Sequence, residues 1–163
     1  MIEIKQLYKS FGANRALNGV SYYIKHGEAV CVIGPSGGGK STFLRCIGKL
    51  ETPDAGEVIT SGGVCMVDAG ADADEALAAL KRAGAADTVL FDEPSADVIP
   101  VIHALVEGGM TAVIVTSEMK LAREVSSRVL FMKDGVITEN GTPEDVFCHP
   151  QLASTREFLA SAV

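Results

Sequence analysis

Ala29-Val30-Cys31-Val32-Ile33 runs directly into Gly34-Pro35-Ser36-Gly37-Gly38-Gly39-Lys40-Ser41-Thr42, and then into Phe43-Leu44-Arg45-Cys46-Ile47. The first run is wholly apolar, short and rich in β-branched residues, so it reads as a strand buried on both faces. Residues 34–41 satisfy the spacing GxxxxGK[ST]. A strand before that spacing and a helix after it are the context in which it binds phosphate. The glycines let the backbone curl so that successive N–H groups face a phosphate chain. The following helix aims its unpaired N–H groups and positive dipole end at the same anion. Lys40 is placed to reach the outer phosphates, and Ser41 to offer a hydroxyl to Mg²⁺. The bland alternative, a glycine-rich turn that merely contains a lysine, does not account for the flanking strand and helix.

Further apolar runs follow at Val64–Val67, Thr88–Phe91, Thr111–Val115 and Val129–Met132. Between them lie helix-like stretches at Ser41–Leu50, Ala73–Ala83, Val98–Val106 and Glu118–Val125. Strand alternating with helix is the α/β pattern, with a mainly parallel central sheet. Upstream, Ile2, Ile4 and Leu7 roughly alternate, and Val20-Ser21-Tyr22-Tyr23-Ile24 is rich in aromatic and β-branched types. These read as an N-terminal antiparallel β layer. Downstream, Asp134-Gly135 predicts a hairpin turn, and Thr142-Pro143-Glu144-Asp145 predicts a helix start, with the chain ending in short helices. The stretch Ala69–Ala86 is rich in Ala, Gly and Asp and is expected to be less well ordered.

Composition narrows the function. The chain has 163 residues, enough for one domain that buries a core without disulfides or a structural metal. Fourteen Lys and Arg against 21 Asp and Glu give a net charge of −7, which argues against a broad footprint for nucleic acid or an anionic membrane. Any polyanion must be held by a local site. Four scattered cysteines form no CxxC pair, and Cys148-His149 stands alone, so packing thiols are expected rather than a metal centre. No signal-peptide run and no membrane-length apolar segment is visible, so a cytoplasmic protein without direct membrane insertion is expected.

A second chemical element lies at Val89-Leu90-Phe91-Asp92-Glu93-Pro94, an apolar strand that ends in two acids. At the end of a buried strand beside a phosphate loop, Asp92 suits Mg²⁺ held through water. Glu93 suits an attacking water that must be oriented or deprotonated. Taken alone, such an acid pair could simply cap the next helix.

The chain resembles the ATP-binding cassette (ABC) ATPases, the motor subunits of ABC transporters, and most closely those of polar amino-acid uptake. The resemblance is carried by Leu7–Gly12, Leu17–Ser21, Gly34–Thr42 and Leu50–Glu57, and later by Phe91–Ser95, Glu118-Met119, Ala122–Val125, Gly141–Glu144 and Thr155–Leu159. It implies a three-layer α/β/α P-loop NTPase and a single nucleotide-binding domain over residues 1–163, with ATP and Mg²⁺ bound. Nucleotide contacts are implied from Ser36, Gly37, Gly38, Gly39, Lys40, Ser41 and Thr42, with Phe11 stacked on adenine. Ser41 and Asp92 are implied at the metal, and Glu93 and Lys40 in catalysis.

The departures are as informative. Between Gly63 and Thr88 the family carries a glutamine loop, a helical subdomain and an LSGGQ signature, whereas here residues 64–86 stand in their place, with Ala69 at the glutamine position. Ser61-Gly62-Gly63 echoes part of the signature but follows Gly56–Ile59, where the family makes a hairpin turn. Ser117 stands where the family has a histidine that contacts the γ phosphate. The family implies transporter membrane subunits and a homodimer as partners, and the elements for both are largely missing. ATP binding with slow Mg-dependent hydrolysis is therefore expected, and the alternative is a degenerate or truncated ATP-binding module without turnover or transport coupling.

Overall fold

In the computed structural model, which describes residues 1–162, strands β1 (Ile2–Phe11) and β2 (Asn14–Ile24) form an antiparallel hairpin. Strand β4 (Ala55–Thr60) pairs antiparallel on the other side of β1. The uneven step Ile2, Ile4, Leu7 has a geometric cause. Gln6 sits at φ 45° and the pairing register slips between Ile4 and Leu7. The bulge absorbs one residue and returns Leu7 to the inner face, so all three side chains are buried.

The second sheet contains β3 (Ala29–Ile33), β5 (Val64–Met66), β6 (Thr88–Asp92), β7 (Thr111–Val115), β8 (Arg128–Lys133) and β9 (Val136–Gly141), in the order β5-β6-β7-β3-β8-β9. All neighbours are parallel except β8 and β9, an antiparallel hairpin. Its turn places Asp134 at φ 53° and Gly135 at φ 77°, the two left-handed residues that an Asp-Gly turn supplies.

Helix α1 (Lys40–Ile47) and the antiparallel sheet cover one face of the parallel sheet. Helices α2 (Ala73–Ala83), α3 (Ile99–Glu107), α4 (Met119–Val125) and α5 (Ala153–Ser161) cover the other. Along β3, Val30 and Val32 join the first core while Cys31 and Ile33 join the second. Two covered faces are the reason the central strands are apolar at every position. The architecture is the expected α/β one, a mainly parallel sheet with an added antiparallel layer.

Local details depart from the sequence expectations. Helix α1 ends at Ile47 rather than Leu50, because Gly48 caps it and Lys49 turns to φ 60°. Within residues 69–86, where loose order was expected, the stretch Ala73–Ala83 forms the helix that its spacing predicts, and a reciprocal cap starts it. Asp72 Oδ1 accepts from the Glu75 N–H at 2.9 Å, and Glu75 Oε2 accepts from the Asp72 N–H at 3.0 Å. The small side chains Ala76 and Ala79 then let this helix lie against the sheet. The helix expected from Val98 opens as a 3₁₀ turn at Ala96–Val98. Thr142 caps as expected, its hydroxyl accepting from the Asp145 N–H at 3.1 Å, yet Glu144–Cys148 winds as one π-helical turn.

No described helix is long and apolar enough to cross a membrane. The cysteines are free, and burial pushes the Cys31 thiol up to about 12 and Cys46 up to about 11. Cys65 is buried and also raised, whereas Cys148 is exposed. Under native conditions a thiol reagent at neutral pH is expected to modify Cys148 alone, since the thiolate is the nucleophile. Rapid modification of two or more thiols in a native titration would contradict this packing.

Candidate functional site

Residues 34–39 join the carboxyl end of β3 to α1, and Asp92 ends β6 with Glu93 directly after it, with β7 between the two strands. The crevice beyond the carboxyl ends of a parallel sheet is where such folds hold ligands. The loop reaches this position only because its glycines tolerate close approach. A Cβ on Gly34, at φ 146°, would lie 2.0 Å from the Met132 carbonyl oxygen. One on Gly39, at φ 96°, would lie 2.3 Å from the Ala16 oxygen.

An open cavity of about 260 Å³ lies here. Of the residues singled out in the sequence, Phe11, Ser36, Gly37, Gly39, Lys40, Ser41, Thr42 and Glu93 line it. Gly38 and Asp92 stand one step back. The Gly38 N–H donates to the Pro35 oxygen at 3.1 Å and its carbonyl accepts from the Gly135 N–H at 3.1 Å, bracing the loop against the β8–β9 turn. Asp92 Oδ1 accepts the Ser41 hydroxyl at 3.3 Å.

Lys40 folds its ammonium back over the loop, donating to the Gly34 oxygen at 2.8 Å and the Pro35 oxygen at 2.9 Å. Partial burial lowers its pKa, and the negative charges of Glu93 and Asp92 oppose that shift. A phosphate chain in the loop would offer the same ammonium charged acceptors in place of neutral carbonyls.

Glu93 is a non-glycine residue at φ 47°, a backbone conformation that costs energy and tends to occur at functional sites. Its N–H donates to the Val115 oxygen at 2.8 Å. Its Oε2 accepts both the Ser117 N–H at 2.9 Å and the Ser117 hydroxyl at 3.1 Å. The end of β7 thus orients the carboxylate. From the sequence Ser117 was notable only as a residue without an imidazole, and its grip on Glu93 was not legible.

Ser41 and Asp92 form a pair of hard oxygen donors that fits Mg²⁺. That ion takes one or two protein oxygens and completes its shell with phosphates and water. Among the described residues no cluster of three or more metal-ligating side chains exists, and a phosphate-borne ion needs none. Two lining residues, Asn14 and Ala16, were missed by the sequence reading. They reach the cavity because β2 folds back beside Phe11, with Asn14 its register partner.

Phe11 is 47% exposed at the cavity mouth. A ring face stacks on any base, so GTP is expected to displace bound ATP with an affinity within about tenfold of ATP's own. A strong ATP preference that survives Phe11→Ala in the same displacement assay would remove Phe11 from base binding.

Residues 17–83 match the family model described as ABC transporter. The L-cystine import ATP-binding protein TcyN of Bacillus subtilis (strain 168) is 33% identical over 239 aligned positions, covering 98% of this chain and 92% of that protein. The arginine transport ATP-binding protein ArtM of the same organism is 33% identical over 236 positions, covering 98% of each. Both alignments are longer than the 163 residues of this chain, so these relatives carry additional residues within the matched span. Among solved structures, a nucleotide-free ATP-binding cassette from an ABC transporter superposes with a TM-score of 0.78 at 17% identity, over 96% of this chain and 98% of that one. A dimeric cassette in a post-hydrolysis state bound to ADP and phosphate gives 0.73 at 20% identity, over 88% of this chain and 99% of that one. Fold, loop context and sequence relatives therefore agree that the chain belongs to the ABC transporter ATP-binding family, as a short member related to amino-acid import ATPases.

Proposed function

We propose that the whole chain acts as one nucleotide-binding unit that takes Mg-ATP in the loop of residues 34–42 and hydrolyses it slowly. The observation that carries this reading is the convergence of Lys40, Ser41 and Glu93 on one cavity, from the ends of two strands separated by β7, with Asp92 bonded to Ser41 just behind it. Backbone N–H groups of the loop and the Lys40 ammonium bind the phosphates. Ser41 and Asp92 would hold Mg²⁺, which when bound offsets negative charge on the phosphate oxygens. Glu93, with one carboxylate oxygen fixed by Ser117, orients a water and accepts its proton through the other.

Slow turnover follows from what is missing around the γ phosphate. In the family that this chain resembles, a partner's signature helix encloses it, and losing one such donor costs about 10²–10³ in rate. Here Ser61-Gly62-Gly63 leads into β5 rather than a helix, and the Ser61 N–H is held by the Met1 oxygen at 3.1 Å. Residues 64–86 supply only β5 and α2 in place of a docking subdomain. Coupling to membrane subunits and ATP-driven dimerisation are therefore both proposed to be weak. The relatives' names give L-cystine import and arginine transport as their context, and a cytoplasmic location, where ATP is available, is part of this proposal.

A second reading, ATP binding without turnover, is favoured by Ser117, which has no imidazole to offer the γ phosphate and whose N–H and hydroxyl both bond Glu93 Oε2. Titration with ATP and Mg²⁺, followed by phosphate release in the same sample, separates the two. Binding with Glu93-dependent release supports the first, binding alone the second, and absence of binding overturns both.

A further inference from the structure

The Phe11 ring is not equally open on its two faces. The Lys9 Nζ lies 5.3 Å from the ring centroid, within cation–π range. Lys9 itself is held in place. Its ammonium bridges Glu51 at 3.3 Å and Asp54 at 3.4 Å, and its side chain is only 15% exposed. Asp54 also accepts the Ser10 N–H at 2.7 Å and donates its own N–H to the Tyr8 oxygen at 2.8 Å. The segment after α1 thus clamps β1 on both sides of Lys9. Burial works against the charge on Lys9, but the two carboxylates outweigh it and raise the pKa, so the group stays cationic. Phe11 lines the cavity and Lys9 does not.

We propose that Lys9, clamped by Glu51 and Asp54, is a positioning residue for the nucleobase: it covers one face of Phe11 and leaves the cavity-side face for stacking. The inference rests on the ATP-binding reading above. A ring already held on one side loses less freedom when a base stacks on the other. Lys9 therefore adds affinity for nucleotides that carry a base and none for a bare phosphate chain. It also links the two ends of the nucleotide site, since α1 begins at the phosphate loop and the segment that follows it carries Glu51 and Asp54.

The test is calorimetric titration of the full chain with Mg-ATP and, separately, with Mg-tripolyphosphate, which has the phosphates and no base. Lys9→Met is expected to weaken ATP binding about 3- to 5-fold. Lys9→Arg should restore it, and tripolyphosphate affinity should not move. In a Phe11→Ala background Lys9→Met should have no further effect. Glu51→Gln, which loosens the clamp and keeps Lys9, should give part of the same selective loss, and it carries the test if Lys9→Met does not melt cooperatively. Equal loss for both ligands would overturn the proposal, because Lys9 would then act as a plain charge on phosphate. An effect that persists without Phe11, or an unchanged ATP affinity, would overturn it too. A parent chain that binds tripolyphosphate as tightly as ATP removes this proposal and leaves the phosphate loop intact. A parent that binds neither overturns the ATP-binding reading as well.

Discussion

Lys40→Ala is expected to weaken Mg-ATP binding about 10- to 100-fold or more, the range for losing a charged hydrogen-bond partner of phosphate. The domain should remain folded. Among the described residues Lys40 bonds the Gly34 and Pro35 oxygens alone, on a loop that water can reach, and its alkyl chain belongs to neither core cluster. The loss of those bonds costs stability on the order of 1 kcal/mol. The parent should melt at a higher temperature with saturating ATP, because a ligand that binds only the native state adds about 2.7 kcal/mol at a hundred times its dissociation constant. The variant should lose that shift. Thermal scans of both proteins with and without Mg-ATP check this. An unchanged shift in Lys40→Ala would mean that ATP does not use the loop.

Glu93→Gln is the second large effect, with residual phosphate release falling about 10²- to 10⁴-fold while ATP binding stays near the parent's. The substitution preserves shape, and the Gln carbonyl oxygen can still accept the Ser117 N–H, so the strained backbone at φ 47° keeps its support. What disappears is an oxygen basic enough to take a proton from water. Ser117→Ala removes one of the two bonds that hold Glu93 Oε2 and keeps the backbone one, so a smaller fall is expected. Ser117→His, which supplies an imidazole donor, should raise turnover. Single-turnover phosphate release on the three variants orders these effects. Fast release that survives Glu93→Gln would assign the chemistry to another group. Glu93→Gln is expected to keep ATP bound, so sedimentation of that variant with Mg-ATP also tests dimerisation, which is expected to be weak.

The loop, the parallel sheet and the acid pair were legible in the sequence because each is a local pattern. A phosphate loop is written in one short run, since its glycines serve backbone angles and its lysine and serine sit at fixed offsets from a helix start. Central strands announce themselves because two covered faces demand apolar residues at every position. The Asp134-Gly135 turn is legible for the same local reason. The shortened middle of the chain was also visible, and its helix over Ala73–Ala83 was legible from spacing, while the Ala, Gly and Asp content of residues 69–86 hid the Asp72–Glu75 cap and the packing of Ala76 and Ala79 that fix it.

Tertiary structure alone decided which residues meet at the site. Asn14 and Ala16 carry no signal of their own and line the cavity only because β2 returns beside Phe11. Ser117 holds Glu93 across 24 residues because β6 and β7 are parallel neighbours whose ends coincide. Lys9 meets Glu51 and Asp54 because β1 packs beside the segment that follows α1, and Phe11 shares in the result. The physical reason is common to all three. Backbone conformation and burial are set by near neighbours and by periodicity, which a sequence displays. A hydrogen bond or ion pair between distant residues depends on strand order and register, and these are fixed only when two cores close on the sheet at once.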